Sequence, residues 1–179
     1  DVYDKYTSMR NFPKPIKKTI DSYEKLMLRK ADIAILADES RLKQHNISKT
    51  DNLLILENVP APIEIVKTDL GKKRAKDNFS IGYFGVLEKT NRGLEDTVQA
   101  ILASKNWELH VAGYGELENY FKEMAHKYPD KIKFYGPQES STGLSIMSNV
   151  DIILGLYYRN IPNHLYAAPN KYFEHLMLG

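Results

Sequence analysis

From residue 79 onward the chain alternates short apolar runs with stretches in which apolar residues recur every three or four positions. The runs at 79–84, 107–112, 132–135 and 151–157 read as buried strands. Between and after them, 93–104, 117–128, 140–149 and 169–178 read as helices. Leu94, Val98, Ile101 and Leu102 form the inner face of the first; Leu117, Tyr120, Phe121 and Met124 form that of the second.

The earlier part has the same grammar with longer interruptions. A helix is predicted over 15–30, opened by Pro15, with Ile16, Ile20, Tyr23, Leu26 and Met27 at helical spacing. Residues 31–37 and 53–56 predict two more fully buried strands, separated by a helix over 38–45. The run Asn58-Val59-Pro60-Ala61-Pro62 is a strong breaker, and the charged stretch 68–78 is the best linker candidate.

Apolar strands alternating with helices predict an α/β fold: a Rossmann-like parallel sheet with helices on both faces. Right-handed crossovers place the C-terminal ends of such strands on one edge, where ligands bind. Gly85, Gly113 with Gly115, and Gly136 each follow a predicted strand directly. The loop from Gly85 to Gly93 carries Lys89 and Arg92 before a helix N-terminus, which suits a diphosphate or, equally, a solvated loop. Gly113 and Gly115 make half of a dinucleotide fingerprint, but Glu118 stands where the third glycine belongs; a tight turn explains them as well. Asn170 is placed to cap the last helix. Lys171 and Glu174 share a face there, able to grip a phosphate and a sugar hydroxyl or to form an exposed salt bridge.

Composition narrows the chemistry. The 179 residues contain no cysteine, which excludes disulfides, thiolate metal sites and cysteine nucleophiles. The five histidines have no metal-ligand spacing, and His110 reads as structural. Net charge is +2, which selects no partner, and no nucleic-acid module is evident. Lys14, Lys17, Lys18, Lys25, Arg29 and Lys30 make the start locally basic, either as a solvated helix face or as a surface for an anionic membrane. The longest apolar run, 152–158, falls far short of a membrane span. Two Asn-x-Ser sequons, at Asn46 and Asn78, read as chance matches. A start at Asp1 without a signal segment, and a last helix stopping at Gly179, predict that the chain is a piece of a longer one.

Seven segments in order along the chain carry a family resemblance: Ala31 to Ser40 (ADIAILADES), Asn58-Val59-Pro60, Ile81 to Gly85 (IGYFG), Leu109 to Gly115 (LHVAGYG), Ile132 to Gly136 (IKFYG), Asn149 to Ile152 (NVDI) and Pro169 to Gly179 (PNKYFEHLMLG). Together they resemble the retaining glycosyltransferases of the glycosyltransferases group 1 family, which set two Rossmann-like domains across a cleft. The resemblance implies that 1–65 is the end of the acceptor-side domain, 66–77 a linker, and 78–179 a C-terminally truncated nucleotide-sugar domain.

It further implies sugar transfer from a nucleotide diphosphate sugar to a saccharide or lipid-linked acceptor, with retention, in polysaccharide biosynthesis. No metal or other cofactor is expected, and the setting is cytoplasmic or peripheral to the membrane. On this resemblance Arg92 and Lys171 contact the donor diphosphate, Glu174 holds the ribose as the second glutamate of an E-x7-E pattern, and Tyr135 and Gly136 lie by the base. Gly85 and Lys89 complete the donor set, with Asn170 at the helix start. Two positions depart from the pattern: Val86 replaces the arginine after the loop glycine, and Tyr166 replaces the first glutamate. Lys89 then stands in for the missing cation. A nucleotide-sugar epimerase of the same architecture and a non-catalytic nucleotide-binding module remain as alternatives. Fold alone would not decide among them.

Overall fold

The computed structural model describes residues 11–45, 47–59, 78–90, 92–158 and 170–178. The expected linker, Asn46, Pro169, Gly179 and the departure at Tyr166 lie outside them. Two compact units are present, one holding the described residues up to Val59 together with Asn170, the other those from 78 to Tyr158 and from Lys171 on.

In the first unit, helix α1 (Lys14–Lys30) starts after Pro13, with proline in its first turn where the missing N–H is harmless. Arg29 and Lys30 sit in its last turn, where the helix dipole favours cations. The orphan carbonyls there are taken from far along the chain. Asn52 Nδ2 donates to the Ala31 carbonyl at 2.7 Å and to that of Leu28 at 3.2 Å. Strand β1 (Ala34–Leu36) pairs in parallel with β2 (Leu53–Ile55), and the short helix α2 (Arg41–His45) lies between them in sequence. The expectation of two fully buried strands is corrected here. Ala34 and Leu36 are buried, but Ile33, Ile35, Leu54 and Leu56 are about half exposed or more, so only one face of this ribbon is covered.

The second unit is a four-stranded parallel sheet built from β3 (Phe79–Val86), β4 (Trp107–Tyr114), β5 (Ile132–Phe134) and β6 (Ile152–Ile153). Helices α3 (Leu94–Ala103), α4 (Glu118–Lys127) and α5 (Ser140–Met147) connect them in turn, and α6 (Asn170–Leu178) follows. The order across the sheet is β5-β4-β3-β6. The chain therefore steps outward from β3 to β5 and then returns to the other side of β3. That reversal makes a topological switch point, with a crevice outside the C-terminal ends of β3 and β6.

Both faces of this sheet are covered. Tyr83, Leu109 and Val111 pack with Leu94, Val98 and Ile101 of α3 and Phe121 of α4. On the opposite face Ala112 packs with Ile146 and Met147 of α5, bordered by Phe84, Ile153 and Leu178. The predicted strand 151–157 shortens to two residues. Leu154 N–H still bonds the Gly82 carbonyl at 2.7 Å, and the chain then leaves the sheet at Gly155, against the His175 ring. At the other end of β6, Asp151 Oδ2 accepts from the backbone N–H of Ser80 at 2.7 Å and from its hydroxyl at 2.8 Å.

The glycines after β4 and β5 serve different needs. Gly113 has φ +148°, and a Cβ there would collide with the Gly85 carbonyl of the neighbouring strand. Gly136 has φ +69° with nothing within 4 Å of a Cβ. Gly113→Ala should therefore cost more than about 3 kcal/mol of unfolding free energy, and Gly136→Ala only about 1–2 kcal/mol for its backbone conformation. Urea unfolding of the two variants measures this; equal costs would refute the β3–β4 contact as the cause.

Candidate functional site

The crevice at the end of β3 gathers side chains from three distant parts of the second unit. Gly85 lies near the strand's end, and the absence of a side chain there leaves a notch. Lys171, in the first turn of α6, fills it: a Cβ on Gly85 would coincide with the lysine ammonium. The ammonium donates to the Phe84 carbonyl and lies 4.9 Å from the centre of the Tyr83 ring. Burial pulls the Lys171 pKa below its ordinary value, opposed by the carboxylate of Glu174 and reinforced by the charge of Arg92. Tyr83, buried beneath, donates its hydroxyl to the Val86 carbonyl at 2.7 Å, and burial pushes its pKa up to about 12.

Arg92 reaches the same place from the loop before α3. Its Nε donates to Glu88 Oε2 at 2.8 Å and its Nη2 to Glu88 Oε1 at 3.4 Å. The guanidinium carbon lies 4.3 Å from the centre of the Tyr157 ring. Burial works against the charged form, but the hydrogen bond to Glu88 together with the electrostatics of Tyr157, Glu88 and Tyr83 outweighs it and the pKa is raised. Nη1 is buried and has no hydrogen-bond partner among the described residues. A desolvated donor of this kind favours an arriving anionic oxygen.

The first turn of α3, which the loop spacing offered as the anion site, is differently furnished. It carries Glu95 and Asp96, and the Tyr158 hydroxyl donates to Asp96 at 2.8 Å. A Cβ on Gly93 would stand 2.9 Å from that same hydroxyl. The positive charge at this edge therefore comes from Arg92 and Lys171.

The other candidates spread around this pair. Glu174 is half-buried one turn after Lys171 and lines, with Lys171 and His175, a gap of about 10 Å³ under α6. Asn170 is exposed at the helix start. Lys89 is exposed and outside the group; its backbone N–H meets Glu116 Oε2 at 3.2 Å. Gly115 passes the backbone of Leu87, where a Cβ would be 2.8 Å from the carbonyl oxygen. A larger cavity, about 430 Å³, belongs to the first unit, between Leu28, Ala34 and Asn52, away from any strand's C-terminal end.

Tyr135 turns its polar tip back along the sheet. Its hydroxyl meets His110 Nδ1 at 2.8 Å, and His110 Nε2 meets Glu108 Oε1 at 2.9 Å. Lys133 completes the row at 3.2 Å from Glu108 Oε2. The Tyr135 carbonyl accepts from Gln138 Nε2 at 2.6 Å, and the Gly136 carbonyl from Gly113 N–H at 2.8 Å. The turn after β5 is thus held by both side chain and backbone.

Sequence reasoning passed over Tyr83, Tyr157 and Glu88. The last could be found from its i,i+4 spacing to Arg92; Tyr157 could not, because it ends an apolar run that reads as strand. Among the described residues no group of three or more His, Asp or Glu is placed to hold a metal ion, and no helix is long and apolar enough to cross a membrane.

Sheet order and crevice define a Rossmann-like parallel α/β architecture. No family model and no curated protein matches the chain. Solved structures do, and they are GT-B glycosyltransferases. A point mutant of S. aureus TarM in complex with Fondaparinux, alpha-GlcNAc-glycerol and UDP is 12% identical with a TM-score of 0.51, covering 80% of this chain and 29% of its own. Anabaena HepE in complex with UDP is 16% identical with a TM-score of 0.51, covering 80% of this chain and 43% of its own. The chain thus has the GT-B Rossmann-like fold and spans less than half the length of these structures.

The Glu108 row gives a pH test. Burial alone would raise the Glu108 pKa, but hydrogen bonds from His110 and Lys133 hold it below the ordinary carboxylate value. A lowered folded pKa contributes stability above the unfolded value and loses it as pH falls through the folded one. The Tm gap between wild type and Glu108→Gln should therefore close on acidification. A gap unchanged from neutral to strongly acidic pH would refute the coupling.

Proposed function

We propose that the second unit binds the nucleoside diphosphate of a nucleotide sugar at the β3–β6 crevice, and that the whole protein is a glycosyltransferase. The observation that carries this reading is the Lys171 ammonium seated in the Gly85 notch, within electrostatic reach of Arg92, at the switch point of a GT-B-type sheet. In the reaction the bond from the anomeric carbon to the diphosphate breaks, and its electron pair leaves with the phosphate oxygen. The acceptor hydroxyl bonds to that carbon and passes its proton to the departing diphosphate. Negative charge grows on the diphosphate, so fixed cations stabilise the transition state most where that charge develops. Arg92 and Lys171 supply them without a metal ion. Glu174 is the candidate for the ribose hydroxyls, and the turn at Tyr135 and Gly136 for the base, through backbone.

The acceptor is a saccharide or a lipid-linked saccharide. The TarM complex, whose partners include Fondaparinux and alpha-GlcNAc-glycerol, supports a saccharide. Retention and hexosyl transfer rest on the family resemblance. The epimerase and the non-catalytic module differ in outcome: the first exchanges or hydrolyses a UDP-sugar without acceptor, the second binds nucleotide and turns over nothing.

Calorimetry with UDP, GDP and ADP should find one nucleotide binding below millimolar, and Lys171→Met should weaken it about tenfold. Because burial lowers the Lys171 pKa, wild-type affinity should fall with rising pH before the ordinary lysine range, and the Met variant should lack that fall. No binding of any of the three at millimolar ligand would refute the donor site.

A peripheral membrane contact is favoured by α1. Ile16, Tyr23, Leu26 and Met27 are about half exposed or more on this helix, beside Arg29 and Lys30. Liposome flotation should show binding that rises with anionic lipid, and equal recovery on neutral and anionic vesicles would end this reading.

A further inference from the structure

Arg92 is held more tightly than an ordinary surface cation. Glu88 occupies the Nε–Nη2 edge of its guanidinium through two hydrogen bonds, and Tyr157 covers a face at 4.3 Å. Nη1, with two N–H groups, is buried and without a partner among the described residues. Its neighbours differ in origin: Glu88 comes from the loop after β3, Tyr157 from the stretch after β6. The bond from Glu88 is local, within one i,i+4 step, whereas Tyr157 is delivered only when the sheet has closed.

We propose that Glu88 and Tyr157 are positioning residues for the donor diphosphate, holding Arg92 so that the two N–H groups of its buried Nη1 are kept for a phosphate oxygen. This rests on the donor-site reading and deepens it. An arginine free in solution must lose side-chain entropy and shed water when it meets a phosphate. Here both costs are met on folding, since the fork is fixed on one edge and one face and Nη1 is already dry. The carboxylate of Glu88 also balances the charge of Arg92 while no ligand is bound, so a buried cation is not left unpaired. Such an arrangement selects for the diphosphate portion of the ligand and is indifferent to the base.

The test compares UDP with uridine on the full chain by calorimetry, with circular dichroism and thermal melts to show that each variant is folded. E88Q keeps the shape of the carboxylate but loses its charge, and Y157L removes the ring. Each should weaken UDP binding about fivefold while leaving uridine binding unchanged. Y157F keeps the ring and should rescue binding to within about twofold of wild type. If wild type binds UDP and E88Q binds it equally well or more tightly, Glu88 is a neutral bystander or a competitor for Arg92, and the positioning role is overturned. A parallel loss of uridine binding would also overturn it, because the effect would then be on the fold of the site at large. Where wild type takes GDP or ADP in place of UDP, the same comparison is made with that diphosphate and its nucleoside; if it takes none of the three, the donor reading falls, and this inference falls with it.

Discussion

The candidate site exists because β6 lies beside β3, and a small polar clamp at the opposite end of the sheet holds it there. Strand β6 has only two residues in the ladder, too few to fix a register by pairing alone. Asp151 supplies the rest. One of its carboxylate oxygens takes both the backbone N–H and the hydroxyl of Ser80, a residue wholly removed from solvent. Its own N–H returns to the Ser80 carbonyl and hydroxyl at 3.1 Å. The carboxylate is well satisfied by these partners, and removing it would take from the buried Ser80 N–H and hydroxyl the acceptor they share. From this anchor the chain runs along β3 and leaves the sheet at Gly155. It then delivers Tyr157 and Tyr158 to the loop before α3.

Much of this architecture was legible in the sequence. Parallel strands covered on both faces read as apolar runs, so β3, β4 and β5 stand within a few residues of their predicted positions, and the glycines after them mark the sheet edge. The apolar run through Tyr158 was misleading for a physical reason. Its tyrosines are hydrophobic because they cover Arg92 and Gly93, not because they pair with a strand. Strand β1 misled in the opposite sense: ADIAILA reads as buried on both sides, yet Ile33 and Ile35 are exposed.

The site was legible as a set of residue types at a sheet edge, and less so as geometry. Arg92, Lys171 and Gly85 could each be nominated from local context, but nothing local shows that the lysine occupies the glycine's missing side-chain space. Tyr135 was nominated for its place after β5, yet its hydroxyl goes to His110, two strand positions back on the adjacent strand. Such pairings are set by register between strands, which a single sequence does not encode in any short window.

The notch at Gly85 has a consequence for how this chain can vary. Positions 85 and 171 share one volume, so the effect of a change at either depends on the residue at the other. An alanine at 85 beside the present lysine would evict the ammonium from the Phe84 carbonyl, whereas beside a shorter side chain it would escape that clash and keep only the strain of its φ of +144°. The two positions are therefore epistatic: a side chain at 85 costs more while Lys171 is present than after it has been shortened.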